Sequence, residues 1–174
     1  MIEAIQKKHE VPGVMSEVII RKFEQADLEV IKDITLEAFA PVTYEANIES
    51  AFGRINGHDW RFRKALHIDD DVAVDPDSIF VAVIEESVVG YITSRRNLET
   101  KIGTIPNLAV KSEYRGRGIG QQLLDHVDTY MRHAGMEILK IETLEQNAIG
   151  QQLYPKMGFK EMARQIYYCK DLRE

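Results

Sequence analysis

The chain has 174 residues, 44% hydrophobic and 29% charged, enough for one domain to bury a core of its own. Its 22 basic and 28 acidic residues give a net charge of −6, which excludes a general nucleic-acid binder and leaves room only for a local basic pocket. One cysteine, Cys169, excludes an internal disulfide and a multi-cysteine metal site, and no segment has the ~18 consecutive apolar residues of a membrane span.

Residues 1–17 read as a polar lead-in broken by Pro12 and Gly13, ahead of a single domain over 18–174. Lys7, Lys8 and Glu10 interrupt any secretory apolar core, so a cytoplasmic location is expected, with neither membrane nor nucleic acid as partner. "SEVIIRKF" predicts a first strand, and "ADLEVIKDITLEAF" a helix with Leu28, Ile31, Ile34 and Ala38 on one face. From Pro41 to Asp77 the pattern loosens. Helical pieces "EANIESAF" and "DWRFRKALHI" precede "DDDVAVDPD", which reads as a solvated loop.

Strands follow. "SIFVAVIE" and "SVVGYITSRRN" form a hairpin through a Glu86–Ser87 link, and "IGTIPNLAV" is a third strand. Pro106 cannot donate to a ladder, so it marks an edge or a bulge. A helix over Arg117 to Ala134 places Ile119, Leu123, Val127, Tyr130, Met131 and Ala134 on one face, with His126 and His133 on the solvated stripe, and Gly135 ends it. "EILKIETL" reads as a strand, "NAIGQQLYPKM" as a helix and "FKEMARQIYYCKDL" as two closing strands. The order β-α-(α)-β-β-β-α-β-α-β-β predicts one mixed sheet with helices on both faces.

The densest chemical signal is "LAVKSEYRGRGIGQQLL". A helix N-terminus offers free N–H groups and a positive dipole end, glycine lets backbone approach a phosphate, and Arg115 and Arg117 add charge-assisted contacts. A phosphorylated ligand fits. The spacing Gly116-x-Gly118-x-Gly120 departs from a Rossmann fingerprint, which requires glycine where Gln121 stands, and from a P-loop, which requires Gly-Lys-Ser/Thr.

Arg115, Gly118 and Gly120 resemble the Arg/Gln-x-x-Gly-x-Gly/Ala signature of the GCN5-related N-acetyltransferase (GNAT) superfamily, and "NAIGQQLYPKMGF" is similar to its second motif through Asn147, Tyr154 and Gly158–Phe159. The strand and helix order from Val18 to Leu172 agrees. The resemblance implies an α/β (α+β) fold with a mostly antiparallel sheet and a splayed central strand pair. It implies acetyl-CoA as donor, its pyrophosphate cradled by the amides of Gly116, Arg117, Gly118, Ile119, Gly120 and Gln121, and its pantetheine arm paired with Leu108, Ala109 and Val110. Asn147 and Tyr154 complete the donor site, and Tyr154 becomes the acid that protonates the departing sulfur. The expected reaction is direct acetyl transfer to a primary amine in a ternary complex. A small cationic acceptor is favoured by the negative charge, and a protein lysine or N-terminus stays open. So do a non-catalytic acyl-CoA-binding module and a homodimer.

An alkyl ammonium costs ~4.6 kcal/mol to deprotonate at pH 7, against ~2 kcal/mol for protonating the thiolate, so the base matters more than the acid. Relatives often carry that base on the strand leading into "LAV", where this chain has Thr104 and Pro106. Glu142, a water chain or a residue of 41–77 remain candidates. His58 and His67 with Asp69, Asp70 and Asp71 lack zinc and calcium spacings, so no metal is expected. The acidic run could instead draw a cationic amine inward, and Phe39, Tyr44, Phe52, Trp60 and Phe62 could line its pocket.

Overall fold

A computed structural model describes residues 17–40 and 42–173. The lead-in reading, apart from Glu17, and Pro41 lie outside the described residues.

The elements run β1 (Ile19–Lys22), α1 (Leu28–Phe39), α2 (Tyr44–Phe52), α3 (Trp60–Val74), β2 (Ile79–Ile84), β3 (Ser87–Asn97), β4 (Ile102–Val110), α4 (Ile119–His133), β5 (Ile138–Ile141) and α5 (Ala148–Lys156). They build a five-stranded sheet in the order β1-β2-β3-β4-β5, antiparallel except for the parallel β4–β5 pair. The turn between β2 and β3 falls one residue earlier than the sequence suggests. Glu85 and Glu86 both take positive φ (48° and 68°), and Ser87 already pairs with Ile84. Such a two-residue turn matches the twist of the strands it joins.

One face of the sheet receives α4 and α5. Ile119, Leu123, Leu124, Val127 and Met131 pack there on Phe80, Ala82 and Ile92, with Leu153 and Tyr154 of α5 alongside. Leu123 and Leu124 are almost wholly removed from water, and each such burial contributes ~1.5–3 kcal/mol. The opposite face carries α1 and α3 through Ile31, Ile34 and Ile68 against Val81 and Tyr91.

Three expectations change. The acidic run is not a solvated loop: α3 continues through Val74, because Asp69 pairs with Lys32 at 2.7 Å and Asp71 and Asp75 pair with Arg95 and Arg96. His126 is not on a solvated stripe; its ring meets Phe80 edge-on at 4.5 Å, and burial holds its imidazole below the usual range. The two closing strands do not form. Residues 159–173 run without regular structure, held by side chains rather than by a ladder. Arg164 reaches Glu145 and Glu161, Tyr167 packs on Tyr44 at 4.9 Å, and Arg173 donates to the carbonyls of Phe52 and Arg54. Met162, Ile166 and Tyr168 stay exposed, so the β-forming residues of this segment have no face to bury.

Candidate active site

The site begins at an irregularity in β4. Thr93 faces Asn107 and Arg95 faces Thr104, so β4 carries one more residue than β3 across this interval. The bulge falls at Ile105–Pro106, where proline has no N–H to offer. Side-chain alternation flips there: Ile105 joins the α4 cluster, whereas Asn107 contacts α3 and Ala109 joins the cluster of α1. The parallel pairing of β4 with β5 ends at the same place, at Ile105–Ile141. Leu108, Ala109 and Val110 remain paired with β3, while beyond Ile105 no described strand pairs with the β5-side edge of β4, where the two parallel strands part.

From the end of β4 the chain passes through a short turn at 112–114 to the N-terminus of α4. Gly118 is the N-cap residue at φ 76°, a left-handed conformation that costs an L-residue ~1–2 kcal/mol. It brings no side chain to cap the helix, and the first turn holds no acidic residue. The amides of Ile119, Gly120 and Gln121 therefore keep the unsatisfied donors and positive dipole end of a helix start. Gly120 answers a different need: a Cβ there would stand 3.7 Å from Leu153, so α5 passes close by. Arg115 and Arg117 flank the turn and are exposed. The first donates to the Val110 carbonyl at 3.1 Å, and the second lies 5.0 Å over the Tyr114 ring.

The second motif is a helix with both ends defined. Asn147 caps α5 by accepting from Gly150 N–H at 3.1 Å, and it donates to Thr143 at 2.9 Å. Pro155 does not break the helix, which ends at Lys156. Gly158 at φ 86° then lets the Phe159 N–H reach the Tyr154 carbonyl at 3.0 Å, while the two rings meet edge-on at 6.1 Å. This is a Schellman ending with its apolar contact, the physical content of "YPKMGF". Tyr154 packs in the cluster that also holds Leu108, Val110 and Ile119, and burial pushes its hydroxyl up to about 12.

On the α3 side, a cavity of about 260 Å³ is lined by His67, Asp70, Asp71, Arg95, Pro106 and Asn107. None of the aromatic candidates lines it. Trp60 is buried, Phe39 lies under the Lys64 ammonium at 4.3 Å, and Phe62 stacks on His58 at 3.9 Å. The Tyr44 hydroxyl meets the Cys169 thiol at 2.9 Å. Asp71, 1% exposed, accepts from Thr93 at 2.6 Å, from Asn107 at 2.8 Å and from the Arg95 guanidinium. Lys64, 7% exposed, donates to Asn107 at 2.9 Å, and burial pushes its ammonium below the usual range. His67 Nε2 stands 3.0 Å from Glu45. Burial alone would raise the Glu45 carboxyl, but hydrogen bonds from His67, Thr43 and its own amide hold it at about 2.

Glu142 is a surface group tied to Lys140 at 2.6 Å. Asp71 was a sequence candidate only as part of the acidic run, Glu45 and Lys64 were covered only by the open range 41–77, and Arg95 and Asn107 were not singled out. One signal was available: Trp60, Lys64, Ile68 and Asp71 share the buried stripe of α3, where charged residues require partners. Among the described residues, no group of three or more His, Cys, Asp or Glu could hold a metal ion, and no helix is long and apolar enough to cross a membrane.

The Acetyltransferase (GNAT) family model matches residues 42–159. The chain is 30% identical over 155 residues to the uncharacterized N-acetyltransferase MJ1530 of Methanocaldococcus jannaschii, covering 88% of this chain and 85% of that protein. The PaiA N-acetyltransferase of Thermoplasma acidophilum, solved with coenzyme A, superposes with TM-score 0.67 at 23% identity over 83% of this chain and 90% of that one. The ribosomal-protein-S18-alanine N-acetyltransferase of Escherichia coli does so with TM-score 0.65 at 20% identity, over 88% and 85%. The chain belongs to the GNAT acetyltransferase family, and its reaction is acetyl-CoA-dependent N-acetylation.

Proposed function

We propose that the protein moves the acetyl group of acetyl-CoA to a small cationic primary amine by direct attack in a ternary complex. In this reading the gap beside Leu108, Ala109 and Val110 takes the pantetheine arm. The amides of 116–121 take the pyrophosphate, with Arg115 and Arg117 at its flanks. Asn147 holds the start of α5, so that Tyr154 can hand its proton to the departing sulfur. A hydroxyl pushed up to about 12 stays protonated, and so available as a donor, throughout the neutral range.

One observation carries the reading. The β4–β5 gap opens at Pro106–Asn107, and those same residues form a wall of the cavity that holds Asp70 and Asp71. A donor slot and an acid-lined chamber thus share a boundary. Asp70, at the cavity wall, makes no ion pair among the described residues, leaving its charge for an ammonium. A cytoplasmic location belongs to the same reading and is supported by the single cysteine.

A second reading, acetylation of a protein α-amine, is favoured by the ribosomal-protein-S18-alanine enzyme among the structural relatives. Thiol release from acetyl-CoA with ethanolamine, cadaverine, spermidine, kanamycin and an alanine-led peptide separates the two. Faster turnover of the small amines is expected. A preference for the peptide installs the second reading, and no amine-dependent release with any of them overturns both.

A further inference from the structure

We propose that His67 is the general base that deprotonates the acceptor ammonium, with Glu45 as its positioning residue. The proposal rests on the N-acetyl transfer reading above and supplies the group that β4 lacks at Thr104 and Pro106.

The cavity walls contain few groups able to take a proton. Arg95 is permanently charged, and Pro106 and Asn107 are not bases at neutral pH. The Asp71 carboxylate already accepts from Thr93, Asn107 and Arg95, which leaves little capacity for a substrate proton. Asp70 is exposed to water, and as a chemical class a carboxylate is a far weaker base than an imidazole. His67 remains.

Its geometry is that of an oriented base. Nε2 lies 3.0 Å from Glu45 Oε1, and the carboxylate can only accept, so Nε2 carries the proton and Nδ1 is the ring's acceptor. Glu45 is 6% exposed and also takes the Thr43 hydroxyl, so it is fixed as an anion from α2. His67 itself is 47% exposed, open to a ligand in the cavity. The charged groups around the pair are Glu45 and Glu49 on α2, Arg63, Lys64, Asp70 and Asp71 on α3, and Arg95 on β3, with the Arg63 guanidinium donating to the Glu45 carbonyl at 3.1 Å; β4 contributes only the uncharged Pro106 and Asn107.

In the step, an N–H proton of the substrate ammonium passes to Nδ1. The freed nitrogen pair forms the C–N bond at the thioester carbonyl, and the C–S bond breaks with its electrons going to sulfur. The thiolate takes the Tyr154 proton while the second proton of the attacking nitrogen passes through water to the tyrosine oxygen, leaving a neutral amide and a thiol. The resulting imidazolium is stabilised by Glu45 and returns its proton to water.

The test compares wild type, His67→Ala, His67→Gln and Glu45→Gln with acetyl-CoA and the fastest amine of the panel. For both His67 variants kcat should fall ~10²-fold or more at neutral pH, the acid limb of the kcat/KM profile should disappear, and the deficit should shrink as pH rises towards the pKa of the amine. Free imidazole should restore part of the His67→Ala activity, and acetyl-CoA affinity should stay within about twofold. Glu45→Gln should shift the acid limb and lower kcat ~10-fold without changing acetyl-CoA affinity. An active wild type whose His67→Ala variant keeps both kcat and the acid limb overturns the base assignment alone. A wild type inactive with every amine removes the underlying reading instead.

Discussion

The Asn107 amide donates to the Asp71 carboxylate at 2.8 Å, joining the first residues of β4 beyond its bulge to the last turn but one of α3. The same carboxylate holds Thr93 and Arg95 of β3, and the other end of the Asn107 amide accepts from Lys64. One buried anion therefore sets the distance between the helix bearing His67 and the strand that opens the donor gap. Replacing it with Asp71→Ala leaves Arg95 unpaired and two buried donors unsatisfied, a loss of ~3–5 kcal/mol. Urea unfolding should show this as a lowered midpoint. A variant that unfolds at the wild-type midpoint would show that the network is dispensable.

Glu45 makes stability depend on acid in a defined window. Its folded carboxyl sits at about 2, against 4.5 for the free side chain, so the unfolded chain binds the proton more tightly. The contribution is present in full above pH 4.5 and is lost as pH falls towards 2. It amounts to on the order of 3 kcal/mol. Urea midpoints measured from pH 6 down to pH 2 should fall less steeply for Glu45→Gln than for wild type. Parallel slopes would mean that other carboxylates carry the acid sensitivity.

The sheet and the long helix were legible in the sequence because they are written in local patterns: continuous β-branched and aromatic runs in β2 and β3, buried on both faces, alternation in β4, and a helical stripe from Ile119 to Met131. The two motifs proposed to hold the donor were legible as local structure for a related reason. A glycine N-cap and a Schellman ending are short-range devices, so "RGRGIG" and "YPKMGF" carry their geometry within a few residues. The proposed acceptor side is assembled across distance. Glu45 meets His67 between two helices, and Asp71 meets Asn107 between a helix and a strand, with no spacing rule to join them. Asp71 was further hidden in an acidic run that looks solvated until Arg95 is seen opposite it. The closing strands failed for the opposite reason: Ile166 and Tyr168 have strand propensity, but the chain gives them neither partner nor buried face.

Two glycines of the turn should respond oppositely to substitution. Gly118 has φ 76°, and its nearest neighbour for a Cβ is the flexible Gln121 side chain at 3.7 Å, so conformation rather than crowding sets the cost. Gly118→Ala should lose ~1–2 kcal/mol of stability, and Gly118→Glu should in addition weaken coenzyme A binding ~10²-fold or more by placing bulk and charge at the helix start. Gly120→Ala adds a methyl at ordinary contact distance from Leu153, so stability should hold or rise by up to ~1 kcal/mol. Calorimetric titration with coenzyme A and thermal unfolding read both effects. Undiminished affinity in Gly118→Glu would place the pyrophosphate elsewhere.

The final test concerns Tyr154 and the glycine beneath it. A Cβ on Gly150 would lie 2.8 Å from the Asn147 amide nitrogen, 2.9 Å from the Thr143 hydroxyl and 2.9 Å from the Tyr154 ring. In an open helix Gly→Ala gains up to ~1 kcal/mol, but here the two polar contacts form the α5 cap and cannot yield without losing it. Gly150→Ala should therefore destabilise by ~1–3 kcal/mol and displace the tyrosine ring. Tyr154→Phe keeps the ring, its packing and its contact with Phe159, and removes only the oxygen. It should unfold near the wild-type midpoint, keep acetyl-CoA KM and lose ~10²-fold in kcat. The loss should be smaller with an acetyl thioester whose leaving thiol has a lower pKa, because such a thiolate departs without needing the proton. Equal losses with both thioesters, or an unchanged kcat, would return Tyr154 to packing alone.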